Sequence, residues 1–440
     1  MAKKSHSHHD RPHRHHYDAE MLSVEEARQR ILSYFDVLSV EHVPLVEALG
    51  QVLAEDMVAS FNIPPMANSA MDGYAVLAAD TNGASKATPV ELPVTGVVAA
   101  GALPDHELAP GTAVRIMTGA PVPPGADSVV PFEDTDELER QKSSDSPSSI
   151  GIHLEAQPLD NIREAGEDVE LGETVLTKGQ SLRPGEIGVI ASLGRSTVPV
   201  VRRPVVAIVS TGDELLEPGE AHQPGKIYNS NAFSIAAMVS RCGGVPKIMG
   251  IARDTVESLE AALEEAMNSD LVVTSAGVSK GDYDVVKDVL SSRGEIALWS
   301  VRMRPAKPLA FGVLEDEDGS KVPHLGLPGN PVSAMVAFEQ FGRSALRLMM
   351  GKPETAKPTV DAVMDDPIMN HDGRRVYARV QVYKDEQGGY RARSTGNQSS
   401  GVLSSMALAN GLAICPDDIG MIDVGETARV ELLDWADDIF

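Results

Sequence analysis

From Pro204 onward the sequence alternates short apolar runs with amphipathic stretches of helical length, and this alternation constrains the fold more than any other feature. VVAIVS is followed by NAFSIAAMVSRC, which stops at Gly243 and Gly244, then by KIMGIA, TVESLEAALEEAMN and LVVTS. Strands alternating with helices of this length indicate a parallel sheet with helices on both faces. The series continues through DVVKDVLSSRG, IALWSVRM and HLGLP to a last helix from Pro331 to Met350. Ligands of such sheets lie beyond the carboxyl ends of the strands. The loops that follow those strands are therefore where chemistry is expected.

The flanks read differently. At 440 residues the chain is too long for one ordinary core. Ser23 followed by Glu26 forms a capping box ahead of an amphipathic helix. From Ala59 to Phe132 short apolar runs such as VELPVTGVVAAG and TAVRIM are punctuated by Pro and Gly, the pattern of β structure with tight turns. QKSSDSPSS, at 141–149, reads as a loop. The piece that follows ends in a helix from Pro184 to Leu193 and is expected to pack back on the first helix. Beyond the linker GKPETAKPT, strand-like alternation returns in RVYARVQVY and ARVELL. The expected division is a disordered His-rich tail (1–20), a discontinuous N-terminal mixed α/β domain (21–58 and 154–203), an inserted β domain (59–153), an α/β domain (204–352) and a C-terminal β domain (357–440).

A formal charge of −26 argues against a nucleic-acid partner, which demands a basic surface. An anionic ligand would need a local basic pocket. No apolar run approaches the roughly 20 residues that span a bilayer, so no membrane partner is expected. Cys242 and Cys415 form no CxxC pair and no disulfide framework, which fits a reducing cytoplasm. The start, MAKKSHSHHDRPHRHHY, has no apolar stretch of the signal-peptide kind, and its irregular histidines suit a solvated tail better than a structured zinc site.

Four loops of the α/β region hold the residues that suggest chemistry. In STGDELLEPG, Asp213 and Glu214 directly follow a strand, where carboxylates bind a divalent cation or merely shape a turn. Asp254 ends another strand and serves equally as a helix cap. In TSAGVSKGDYD, Gly277 and Gly281 allow close backbone approach and Ser275 and Ser279 supply hydroxyls, so successive amides can nest an anion. The loop lacks the GKS/GKT ending of a P-loop. In MRPAKPLAFG, Arg304 and Lys307 are two cations in a proline-stiffened turn, suited to a small dianion. LGLPGNPVSA puts Asn330 at a helix cap with Pro331 next, so Ser333 and the free amides of that turn are expected to face an anion.

In order along the chain, NSAMDGYA (68–75), RIMTGA (115–120), AGED (165–168), TGDEL (211–215), GVSKGDYD (277–284), RPAKP (304–308), GLPGNPVSA (326–334) and STGNQSSGVLSSMALANG (394–411) resemble the motifs of the MoeA/gephyrin E-domain family of molybdopterin molybdenumtransferases. The resemblance covers Met21 to Phe440. It implies a multidomain α/β plus β protein whose MogA-like, doubly wound domain binds a pterin. It also implies ligation of molybdate to adenylylated molybdopterin with release of AMP, assisted by Mg2+, in a homodimer whose site lies between subunits. A MogA-type adenylyltransferase would supply the adenylylated pterin.

Carried over by position, Asp72, Asp168, Glu214, Asp254 and Asp282 match acidic site positions of the family, with Glu214, Asp254 and Asp282 expected to hold the metal. Thr118, Ser275, Gly277, Ser279, Arg304, Lys307, Asn330, Ser333, Arg379 and Ser400 are expected to bind substrate, Arg374 being a rival for Arg379. Two departures stand out: Ala276 replaces the first glycine of the family's GGVS turn, and Arg304 and Ala306 stand where Lys and Gly are usual in KPGKP. Both alanines are expected to take negative φ. The competing readings are a molybdopterin adenylyltransferase and a non-catalytic pterin-binding scaffold.

Overall fold

The computed structural model describes residues 21–140, 148–275, 289, 294–316, 318–352 and 357–433. Ser23 and Glu26 form the reciprocal cap, Ser23 Oγ accepting from Glu26 N at 3.1 Å and Glu26 Oε2 from Ser23 N at 2.8 Å. The helix they start, Val24–Leu32, buries Val24, Ala27 and Ile31 in one core with Phe311, Phe338 and Phe341. It does not take the expected place against Pro184–Ser192, whose Ile190 packs with Leu53, Leu182 and Val198 instead. The reason lies in its polar edge: Arg28 donates to the Gln340 carbonyl at 3.0 Å and to Gln340 Oε1 at 2.7 Å, so the stripe faces the α/β region. The amino-terminal segment reaches the 197–201 strand through Val40–Pro44, which pairs with it antiparallel.

Between these pieces a five-stranded sheet runs in the order Ser128–Pro131, Gly73–Val76, Ala113–Ile116, Val90–Val98, Ser149–Ile152. It carries an apolar cluster on each face. Ser149, read as loop, opens the last of these strands, while residues 141–147 lie outside the described residues.

The main sheet has the order Val245–Ala252, Val205–Thr211, Leu271–Ser275, Lys321–Leu327, Pro308–Glu315, Gly294–Ser300. Side-chain alternation feeds both faces: Val206 and Ile208 join the cluster under helix Ser230–Arg241, Ala207 and Val209 the one under helix Val256–Ala266. Complete burial of such side chains contributes about 1.5–3 kcal/mol apiece. The first four strands are parallel, as expected, but Pro308–Glu315 is antiparallel to both neighbours. Its proline needs no ladder donor at the first strand position, and Leu309, Ala310 and Phe311 are buried on both faces, so it shows none of the alternation that marks a half-exposed strand.

The last helix is not uniform. Pro331–Ala337 and Arg343–Met349 are α-helical, and Phe338–Gly342 between them is a π-helix. Buried Glu339 there bonds both Arg241 and Lys357. The C-terminal strands Thr359–Met364, Arg375–Lys384, Tyr390–Ser394, Gly411–Cys415 and Thr427–Leu432 close into a barrel, because Arg375–Lys384 pairs with both Tyr390–Ser394 and Gly411–Cys415. Met303 and Arg304 pair in parallel with Arg375 and Val376, which joins the barrel to the edge of the main sheet. No described helix is long and apolar enough to cross a membrane.

Ala306 overturns its expected backbone: its φ is +74°. The turn around it is fixed by Val301 N donating to the Lys307 carbonyl at 2.9 Å, and Ala306 itself is buried. A β-carbon in this region costs about 1–2 kcal/mol, partly offset by the greater chain entropy glycine would lose on folding. Ala306→Gly should therefore raise the denaturant midpoint, by up to about 1 kcal/mol of stability; a lower midpoint would refute this account. At Gly342 the opposite holds, since a β-carbon would lie 2.6 Å from the buried Phe338 ring. Gly342→Ala should cost about 1–3 kcal/mol with unchanged m-value, and an unaltered midpoint would show that the π segment yields freely.

Candidate active site

Strand register sets the site. Thr211 lies level with Ala252, Ser210 with Ser275, and Ser275 with Leu327, so four parallel strands end along one line. Gly212 stands immediately beyond it at φ +141°, and a β-carbon there would meet Glu214 Oε2 at 2.3 Å. Glycine thus lets the Glu214 carboxylate fold back over the strand end. Asp213 N donates to Asp254 Oδ2 at 3.3 Å, which brings the Glu214 and Asp254 loops together. Both carboxylates are exposed. They are hard oxygen donors of the sort that hold Mg2+ alongside water and phosphate. Asp282, Gly277, Ser279 and Ala276 lie outside the described residues. Among the described residues no three His, Cys, Asp or Glu side chains gather as a metal cluster.

Ser275 is buried, and its Oγ accepts from Asn231 Nδ2 at 2.7 Å. The same Nδ2 donates to the Gly329 carbonyl at 2.8 Å. Asn231 was not among the expected site residues. Its signal was the NSN at 229–231 ahead of a helix, which reads as ordinary capping, and Asn229 does cap Ala232 N at 3.3 Å.

A cavity of about 580 Å3 lies where the edge of the main sheet meets the barrel. Arg304, Lys307, Asn330, Ser333, Arg379 and Ser400 all line it. Arg379 is 1% exposed and meets neutral oxygens: Ser405 Oγ at 3.1 Å and the carbonyls of Ser399 at 3.1 Å and Asn397 at 3.4 Å. Burial, and secondarily the charge of Arg304, push it down to about 10. Arg374 also faces the cavity, but its guanidinium is bonded to Asp372. The helix start departs from expectation. Asn330 takes the cap position without a side-chain cap bond, and the Val332 amide is occupied by the Ser400 carbonyl at 3.1 Å, so that amide is not free for an anion. Asn397 and Gln398 complete this wall, and no charge or motif spacing singled them out.

Asp72, Thr118 and Asp168 sit apart from the cavity lining. Asp72 Oδ1 accepts from Thr118 N at 2.7 Å and Thr118 Oγ1 at 2.8 Å. Those two bonds, with a smaller contribution from Arg115, hold its carboxyl below the usual range. Arg115 anchors the same turn through the carbonyls of Gly73 at 3.1 Å and Ile116 at 2.9 Å. Asp168 lies in an exposed turn tied to Ile63 by its amide at 3.0 Å.

Known proteins resemble this chain along almost its whole length. The chain matches the MoeA N-terminal region (domain I and II) over residues 22–194, a probable molybdopterin binding domain over 207–348 and the MoeA C-terminal region (domain IV) over 361–433. Molybdopterin molybdenumtransferase 2 of Mycobacterium tuberculosis is 40% identical over 417 residues, covering 93% of this chain and 99% of that protein. Molybdopterin molybdenumtransferase of Haemophilus influenzae is 34% identical, covering 93% and 98%. The crystal structure of the molybdopterin biosynthesis MoeA protein from Pyrococcus horikosii superposes with a TM-score of 0.77 at 32% identity, covering 94% of this chain and 100% of that one. Identity of this order over almost the full length, together with three successive family matches along the sequence, places the chain in the molybdopterin molybdenumtransferase (MoeA) family.

Proposed function

We propose that this protein inserts molybdate into adenylylated molybdopterin, releasing AMP and the molybdenum cofactor. The observation that carries the reading is the buried Arg379 facing Arg304 in one cavity with neutral oxygens around it. Two like charges in a partly desolvated space repel each other, and a small dianion relieves that repulsion. Arg304, Lys307 and Ser333 would bind molybdate, while Arg379 holds the 397–400 wall and adds its charge. Arg374, already paired with Asp372, is the weaker candidate for the anion.

The edge at Glu214, Asp254 and Ser275 suits the pyrophosphate of the adenylylated pterin. Glu214 and Asp254, with Asp282, would hold Mg2+, which when bound supplies Lewis-acid assistance to AMP departure. Gly277 and Ser279 would take phosphate oxygens. Asp72, kept ionised by Thr118, and Asp168 lie away from the cavity, which supports a homodimer in which one subunit lends its amino-terminal acids to the other's cavity. The division of the chain that goes with this follows the one expected from sequence, through to 357–440, except that the helix Val24–Leu32 packs with the α/β region rather than with 154–203. A MogA-type enzyme would supply the substrate, in the cytoplasm. The adenylyltransferase reading is not favoured, since the relatives matched along almost the whole chain are named molybdenumtransferases.

Purified protein should release AMP from adenylylated molybdopterin only when molybdate is present; consumption of ATP with free pterin, or no AMP at all, would overturn the reading in favour of an adenylyltransferase or a scaffold. Lys307→Ala removes one charge-assisted contact and should weaken molybdate binding by about tenfold to a hundredfold, with calorimetric affinity equal to wild type as the contrary result. For the dimeric site, mixing equal amounts of Asp72→Asn and Lys307→Ala and letting subunits exchange should restore activity, because each mixed dimer regains one of its two sites and half of the dimers are mixed, which gives about a quarter of wild type. Additive, unrestored activity in the mixture would place the whole site within one subunit.

A further inference from the structure

Two asparagines at the start of helix Ser230–Arg241 touch the ends of three strands. Asn229 Oδ1 accepts from Ser210 Oγ at 3.0 Å, at the end of Val205–Thr211. Asn231 Nδ2 gives one hydrogen to Ser275 Oγ at 2.7 Å, at the end of Leu271–Ser275, and the other to the Gly329 carbonyl at 2.8 Å, just past Lys321–Leu327. Carbonyl oxygens only accept, so the Gly329 contact fixes which end of the Asn231 amide is nitrogen. Among the described residues Asn231 Oδ1 is buried with no partner. An unpaired buried group costs about 1–3 kcal/mol.

What that arrangement accomplishes follows from the hydroxyl inventory. A serine oxygen that receives an N–H keeps its own proton for donation. Ser275 donates to no acceptor among the described residues. The geometry points to Asn231 as a positioning residue: by occupying the acceptor side of Ser275, it aims the Ser275 hydroxyl as a donor at an anionic oxygen of the adenylylated substrate, and it ties that donor to the Gly329 carbonyl, next to Asn330 of the molybdate cavity. The role rests on the transferase reading. It also couples the two halves of the site, since a single side chain bridges the pyrophosphate edge and the oxyanion cavity.

Chemistry gives a discriminating substitution. Asn231→Asp replaces the donor by an acceptor, which accepts a hydrogen bond from Ser275 Oγ and turns the hydroxyl away from the ligand. Asn231→Ala only loosens it. Steady-state AMP release by the full chain, with thermal midpoints recorded for each variant, should show KM for adenylylated molybdopterin raised about tenfold to a hundredfold in Ser275→Ala. Asn231→Asp should match or exceed that loss, Asn231→Ala should show a smaller one, and Asn231→Asp with Ser275→Ala should be no worse than the worse single change. Equal losses in Asn231→Asp and Asn231→Ala, multiplying with Ser275→Ala, would reduce Asn231 to a structural residue and overturn the role. If Asn231→Asp does not fold, Asn231→Ala combined with Ser275→Ala decides: a combined loss below the product supports the role, the full product refutes it. Wild-type protein that releases no AMP with molybdate overturns the functional reading itself, and this role with it.

Discussion

The two-residue pairing of Met303 and Arg304 with Arg375 and Val376 is the constraint on which the rest of the site depends. It brings a turn from the edge of the main sheet against a strand of the barrel, and Arg304 and Arg379 line the cavity between them. Neither unit alone makes an anion site. The sheet edge carries Arg304 and Lys307, the barrel carries Arg379 and the 397–400 wall, and the cavity is the gap between them. Further ties join the two units: the Val332 amide on the Ser400 carbonyl, Arg375 on Glu25, and Gln340 on Glu431 at 2.5 Å. These bonds are paid for by the fold rather than by a ligand, so the cations are already in place before any anion enters.

Much of this was legible in the sequence wherever period and capping act locally. The capping box at Ser23, the strands at 205–211 and 271–275, and the helix stopped at Gly243 all follow from nearest-neighbour chemistry, and each stands where it was expected. What escaped depends on contacts far along the chain. Pro308–Glu315 was hidden because burial on both faces erases alternation. The π segment follows from the fit of Phe338 over Gly342 and from the buried Glu339, which needs Arg241 and Lys357 around it. The positive φ of Ala306 contradicts a rule that holds for alanine in general; here the hydrogen-bonded turn overrules it.

The candidate site shows the same division. Of the residues expected to bind substrate, Arg304, Lys307, Asn330, Ser333, Arg379 and Ser400 line one space, and Thr118 and Ser275 do not. Motif order could not rank Arg379 above Arg374, because the difference lies in Asp372, whose bonding to Arg374 is a property of the folded turn. Nor could it find Asn231, which looks like any helix-start asparagine until its two donors are traced to Ser275 and Gly329.

Glu214 and Asp254 lie across the sheet from Arg304 and Lys307. Had Glu214 or Asp254 reached Arg304 or Lys307, the pairs would have neutralised each other and left little attraction for either a dianion or a cation. Instead the acids sit past the ends of Val205–Thr211 and Val245–Ala252, and the bases past Gly294–Ser300 at the opposite side of the sheet. Leu271–Ser275 and Lys321–Leu327 lie between, and their ends carry neutral groups: the Ser275 hydroxyl, the Gly329 carbonyl and the Asn231 amide that joins them. Neutral hydrogen-bonding groups can span that gap without discharging either side. Strand order, fixed by apolar burial in the two faces of the sheet, is thereby what separates the two charged halves of the site.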